Sequence, residues 1–415
     1  MMHEKALKPS SVRMPALDGL RGIAILVVML FHFRWIFEHG ADRFSRFVFG
    51  ALSFGWIGVD LFFVLSGFLI TGILLDSRGS PYYFRTFYGR RFLRIFPLYY
   101  LILGIVLGAG PAVSRLLHSD NLWYQINPVW YILYVANWQP VYHGAFDPML
   151  GHFWSLCIEE QFYIVCSALL WLLPDRWLPP LPILLAVSAL LIRIGLLHSG
   201  NPDQAVQAVY RLTLARMDGL ALGAWVAIAI RSFHLAGWLR IRARILFWLG
   251  LAGTTAVVIA QHGFNPARPP MQSVGFSFLA ILFAAIVYAG ANASGPLKAA
   301  LTWKPLTIAG TFSYAMYIFH VPLDFFLQRR TDHIAATLPL AGNLALRSLY
   351  IVSMTALMFG VGWLSWNLFE KRLLSFKRYL QYRSELNESC GELELKSKAT
   401  TVGAVSGEEP AVEEI

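Results

Sequence analysis

The sequence predicts an all-α fold: a polytopic membrane helical bundle of about ten transmembrane helices, with both termini cytoplasmic. Three observations carry this reading. Of the 415 residues, 57% are hydrophobic and only 14% are charged, and the mean hydropathy is +0.54; a soluble domain usually carries about 25% charged residues. Apolar runs close to the roughly 20 residues that cross a bilayer recur along the chain. The strongly basic segments are spaced so that all of them share one side of the membrane only if the spans number ten.

In chain order, the spans are expected at 17–37, 53–75, 94–110, 152–173, 181–198, 209–230, 245–261, 271–290, 306–328 and 344–369. The stretch PVWYILYVANW (128–138) is too short to cross and is bracketed by Pro128 and Pro140, so it reads as a re-entrant or interfacial segment. The loops RTFYGRRFLR (85–94), RSFHLAGWLRIRAR (231–244) and EKRLLSFKR (370–378) should be cytoplasmic by the positive-inside rule. The loop 34–52 fits that rule least well, since it holds Arg34, Arg43 and Arg46 on the outer side, beside Glu38 and Asp42. No small-residue cleavage site follows the first apolar run, so that span should stay in place rather than act as a cleaved signal.

Residues 1–383 are thus expected to form one transmembrane domain. From 384 to 415 the chain is acidic, rich in small residues and free of aromatics, as a disordered cytoplasmic tail would be. No fused soluble catalytic domain and no internal repeat is expected. The net charge of +10 could signal nucleic acid, but basic cytoplasmic loops account for it, and nucleic acid is set aside. Cys157, Cys166 and Cys390 show neither a paired framework nor a metal-ligand spacing, so no metal is expected and the cysteines read as packing residues.

Charged side chains at mid-bilayer cost about 2.5 to 3.5 kcal/mol on insertion scales, so ionisable residues inside spans are functional candidates. In the first span His32 lies about 16 Å beyond Arg21 at 1.5 Å per residue, which puts Arg21 at the inner boundary and His32 in the outer half. Asp60, Glu159, Arg216, Asp218 and His320 also fall in outer halves, so five helices bring ionisable groups of mixed sign to a similar depth. A polar pocket explains the set, and a structural ion-pair network is the other explanation. Asp60 either joins that pocket or only neutralises Arg216; Asp218 either joins it or pairs locally; Arg193 either snorkels or meets the cavity. His32 is the natural proton acceptor for a hydroxyl nucleophile, and Glu159 could orient its ring and stabilise the imidazolium. On the cytoplasmic side, Arg91 and Arg94 lie three apart on one helix face, a spacing that suits a phosphate-bearing ligand and equally suits a basic membrane anchor.

These residues resemble the membrane-bound acyltransferase-3 family of bacterial polytopic O-acyltransferases, which has relatives in animals. The match runs over about residues 14 to 370, through LDGLRGIAILVVMLFH, GVDLFFVLSGFLIT, YGRRFLRIFPLYY, HFWSLCIEEQFY, RMDGLALG and SYAMYIFHVPL, in the family's order. The resemblance implies transfer of an acyl group, usually acetyl, from cytoplasmic acyl-CoA to a hydroxyl of a cell-envelope or exported carbohydrate or glycolipid, at a bacterial inner membrane. It implies that Arg21 and His32 are required for activity, that Glu159 is a further functional position, and that Arg91 and Arg94, with Arg90 beside them, hold acyl-CoA as donor substrate; no permanently bound cofactor is implied. Some members carry a soluble esterase-like domain after the membrane part, which leaves open whether a separate envelope partner completes transfer here. The reaction also needs an oxyanion donor, for which Ser66, Tyr163 and Arg216 are candidates. A transporter using the same buried charges for substrate or protons is the alternative; it predicts internal repeats and paired discontinuous helices. A sensor or assembly protein would explain the basic loops but not the clustered ionisable groups.

Overall fold

The computed structural model describes residues 14–38, 42–109, 127–144, 147–199, 201–335 and 344–381, so the expected tail at 384–415 lies outside the described residues. Among the described residues there is no strand, and ten helical segments are long and apolar enough to cross a membrane. In order they are α1 Pro15–Phe37, α2 Arg43–Asp76, α3 Tyr83–Ala109, α4 Gly151–Leu172, α5 Asp175–His198, α6 Pro202–Ala229, α7 Phe233–Ala260, α8 Met271–Ala291, α9 Lys304–Gln328 and α10 Leu344–Tyr379.

The count agrees with the expectation, and several ends differ in one consistent way. The basic segments read as loops before the third and seventh spans are helical: α3 begins at Tyr83 and α7 at Phe233. Arg, Leu and Ala are good helix formers, and neither segment holds an interior proline before Pro97, so positive charge marks where a helix leaves the lipid and not where it ends. Arg90, Arg91 and Arg94 therefore ride on the first turns of one rigid helix.

The non-crossing stretch forms two short helices, Pro128–Ile132 and Gln139–His143, joined through Tyr134 at φ 55°. It is tied to α3 by hydrogen bonds from Tyr99 to the Tyr131 carbonyl and from Tyr100 to the Ile132 carbonyl, both 2.8 Å. Gln161 of α4 reaches its Tyr134 carbonyl at 2.8 Å and the Asn137 amide at 3.0 Å. Leu212 is extended, which interrupts α6, and Asn137 meets the carbonyl of Arg211 at that break, 3.1 Å away.

α2, α6 and α9 are the most buried of the spans, and α5, α7 and α10 form the periphery, where residues such as Leu191, Ile241, Trp248, Val352 and Trp363 are exposed as suits lipid contact. α1 and α9 approach backbone to backbone. A methyl on Gly22 would stand 2.0 Å from the Leu306 carbonyl oxygen, and one on Gly310 1.8 Å from that of Asp18, so both positions admit only glycine.

Candidate functional site

Eleven residues along an α-helix turn the chain through three turns and about 20°, so Arg21 and His32 leave α1 on nearly the same side, about 16 Å apart. Each meets its own cavity.

The first cavity, about 90 Å³, lies among α1, α2, α3, α4 and α9. Arg21, Arg91 and Arg94 converge on it, opposed by Glu159 and Glu160 of α4. Glu159 Oε2 accepts from Tyr163 at 2.7 Å and from Ser66 at 3.0 Å, and the Arg91 guanidinium stands 5.0 Å from the centre of the Tyr163 ring. Three cations against two carboxylates leave the cavity suited to an anionic guest, and guanidinium is the group that forks onto phosphate. Arg90 is turned away: its Nε donates to the Leu380 carbonyl at 2.6 Å, and it is not part of the cavity wall.

The second cavity, about 290 Å³, near the lower end of small-molecule sites, is walled by His32 and Phe31 of α1, Trp56, His152, Trp154, Tyr210 and Gln272, among others. His32 Nδ1 lies 2.9 Å from the Val28 carbonyl, which can only accept, so Nδ1 carries the proton and Nε2 holds the lone pair a general base needs. His320 is fixed the same way by the Tyr317 carbonyl at 2.6 Å, and its ring stands against His32 at 4.7 Å between centres. His152 stacks edge-on to His320 at 5.1 Å. The turn ahead of His152 is held by Asp147, whose carboxylate accepts from the amides of Met149 and Leu150 at 2.8 and 3.0 Å. Burial pushes the Asp147 carboxyl above the ordinary aspartate range, offset in part by those two amides and by Tyr131.

Val59 of α2 and Tyr317 of α9 belong to both walls, so the two cavities are neighbours divided by one layer of side chains. The Tyr317 hydroxyl donates to the His152 carbonyl at 3.0 Å and stands 2.6 Å from the Ser155 hydroxyl, which lines the arginine cavity.

This geometry corrects part of the expectation from sequence. Glu159 does not orient His32: it faces the arginines, one compartment away, and the backbone of Val28 sets the tautomer instead. Asp60 and Arg216 line neither cavity; they form a buried ion pair at 2.7 Å. Asp218 is likewise paired with Arg193 at 2.9 Å. Of the oxyanion candidates, Arg216 is therefore held elsewhere in the bundle, and Ser66 and Tyr163 both spend their protons on Glu159. Three residues not singled out from sequence belong to the site by position: Glu160 in the arginine cavity, Tyr317 in the partition and His152 in the histidine cavity. His152 opens the motif HFWSLCIEEQFY, which was the available signal.

The chain is 28% identical over 326 residues to the putative peptidoglycan O-acetyltransferase YrhL of Bacillus subtilis, covering 74% of this chain and 48% of that protein. It is 28% identical over 331 residues to the peptidoglycan O-acetyltransferase OatA of Listeria monocytogenes, covering 74% and 49%. It is 29% identical over 338 residues to the O-acetyltransferase OatA of Staphylococcus aureus, covering 76% and 51%. The chain thus spans about half the length of these relatives. No solved structure matches, and nothing in the comparisons favours a transporter. Because residues 14–367, most of the chain, match the family described as Acyltransferase domain, this multi-pass membrane protein belongs to that acyltransferase family.

Proposed function

We propose that the chain is an O-acetyltransferase that moves an acetyl group from acetyl-CoA in the arginine cavity to a hydroxyl of a cell-envelope carbohydrate in the histidine cavity. The observation that carries this reading is the partition: a cation-rich cavity and a base-bearing cavity share Val59 and Tyr317 as their common wall. Arg91 and Arg94 hold the CoA phosphates at the cytoplasmic face of the inner membrane, and the pantetheine arm runs past Arg21 toward the partition. The acceptor hydroxyl gives its proton to His32 Nε2 as its oxygen bonds to the thioester carbonyl carbon. The tetrahedral adduct then collapses with cleavage of the carbon–sulfur bond, and the leaving CoA thiolate takes the proton back from His32. Peptidoglycan is the acceptor suggested by the names of the relatives.

The test is ester formation by purified protein supplied with radiolabelled acetyl-CoA and solubilised peptidoglycan glycan strands, scored as label released from the glycan by mild alkali. Label should transfer, and His32→Ala should abolish transfer while the protein still purifies as a monodisperse species. Absence of ester with the wild-type protein, or undiminished transfer by His32→Ala, would refute the reading.

A further inference from the structure

Beyond His32, two residues that line the histidine cavity carry buried polar atoms that the protein itself leaves unsatisfied. His152 is 4% exposed, and neither of its ring nitrogens has a hydrogen-bond partner. The carbonyls of Ile318, Tyr317 and Met149 lie around the ring, yet none meets a nitrogen in hydrogen-bonding geometry. Gln272, fully buried on α8, donates through Nε2 to the Val206 carbonyl at 3.1 Å, while its Oε1 accepts nothing. Both side chains line the same cavity as His32.

Buried polar groups are nearly always paired, so this cluster calls for an occupant. A neutral imidazole offers one donor and one acceptor, and the amide oxygen offers an acceptor. The same cavity is lined by the aromatic side chains of Trp56, Trp154 and Tyr210 and by Arg211. A guest that fits presents several hydroxyls, each able to donate and accept, on a compact frame with apolar faces: a polyol ring. Among the described residues no group of three side chains is arranged to hold a metal ion.

We propose that His152 and Gln272 are acceptor-binding residues, which hold hydroxyls neighbouring the one that His32 deprotonates and so select a polyhydroxylated ring over a simple alcohol. This rests on the acetyl-transfer reading above and adds to it the residues that recognise the acceptor. Neither side chain lines the arginine cavity, so the donor should be indifferent to their replacement. The backbone carbonyl of His152, which holds Tyr317 and thereby the partition, survives any substitution of its side chain.

The experiment measures KM for each substrate separately in the purified full-length chain, with radiolabelled acetyl-CoA as donor and solubilised peptidoglycan glycan strands as acceptor probe. His152→Phe keeps a ring of similar size and deletes both polar atoms; it should raise the acceptor KM at least tenfold and leave the acetyl-CoA KM within twofold. His152→Asn, which restores one donor and one acceptor, should recover most of that loss. Gln272→Met approaches the same cavity from another helix and should raise the acceptor KM by about tenfold alone, so it carries the test if the phenylalanine variant does not fold. An unchanged acceptor KM in these variants, or a parallel rise in the acetyl-CoA KM, overturns the assignment. A wild-type protein that forms no ester refutes the acetyl-transfer reading itself, whereas a working wild type with indifferent variants refutes only the acceptor assignment.

Discussion

Tyr317 hydrogen-bonds the carbonyl of His152 at 3.0 Å, which fastens the ring dividing the two cavities to the residue that begins the wall of one of them. The nearby Ser155 hydroxyl stands 2.6 Å from the tyrosine oxygen and reaches the same carbonyl at 3.3 Å, so the two hydroxyls share one acceptor. Tyr317→Phe keeps the ring and removes both bonds. At about 1 kcal/mol for each bond, the variant should stay folded, with a lowered apparent unfolding temperature in detergent. Turnover should fall with little change in the acetyl-CoA KM, measured by steady-state transfer.

Arg91 and Arg94 line the arginine cavity and Arg90 does not, so under the proposed function their replacement tests phosphate binding against topological anchoring. Arg91→Ala with Arg94→Ala should raise the acetyl-CoA KM by tenfold or more, since each bond to a charged partner contributes about 1.5 to 3 kcal/mol. Arg90→Ala, whose side chain bonds the Leu380 carbonyl and lies outside the cavity wall, should leave that KM within about twofold. Equal effects from all three would assign them to the membrane boundary alone.

The Asp60–Arg216 pair is a stability element placed beside the site without entering it. Removing one partner strands the other in the bundle and should cost about 3 to 5 kcal/mol. Asp60→Asn and Arg216→Met should each sharply reduce the yield of folded protein. Asp60→Leu combined with Arg216→Met should recover folded protein, as measured by size-exclusion profile and apparent unfolding temperature.

Gly22 sits where α1 and α9 touch backbone to backbone, and these helices carry His32 and His320. Gly22→Ala would place its methyl 2.0 Å from the Leu306 carbonyl oxygen, so the helices must part. The variant should lose stability by about 1 to 3 kcal/mol and lose transfer activity with it. Gly360→Ala meets nothing within 4 Å and should leave both unchanged, measured side by side.

The ten spans were legible because hydropathy and length are summed over many residues and tolerate local error. The ends of α3 and α7 were not, because arginine both anchors a helix at the membrane surface and extends it. The grouping of site residues failed at a different point. Position along a span gives depth to within a turn, and that placed His32, Glu159, Asp60 and Arg216 at one level; it says nothing of which way a side chain faces across the bundle. Glu159 turned toward Arg91, and Asp60 toward Arg216, so one expected pocket became two cavities and a pair of ion bridges. The proton on His32 Nδ1 goes to a carbonyl of its own helix, a contact no long-range pattern in the sequence announces.

The shared wall of Val59 and Tyr317 bears on how such a protein keeps the membrane electrically sealed. An open tunnel joining the arginine cavity to the histidine cavity would short-circuit the ion gradients of the cell. Two hollows placed back to back, with a valine, a tyrosine ring and a hydroxyl whose bonds are already spent between them, let each fill with water on its own account while narrowing any route for hydrated ions.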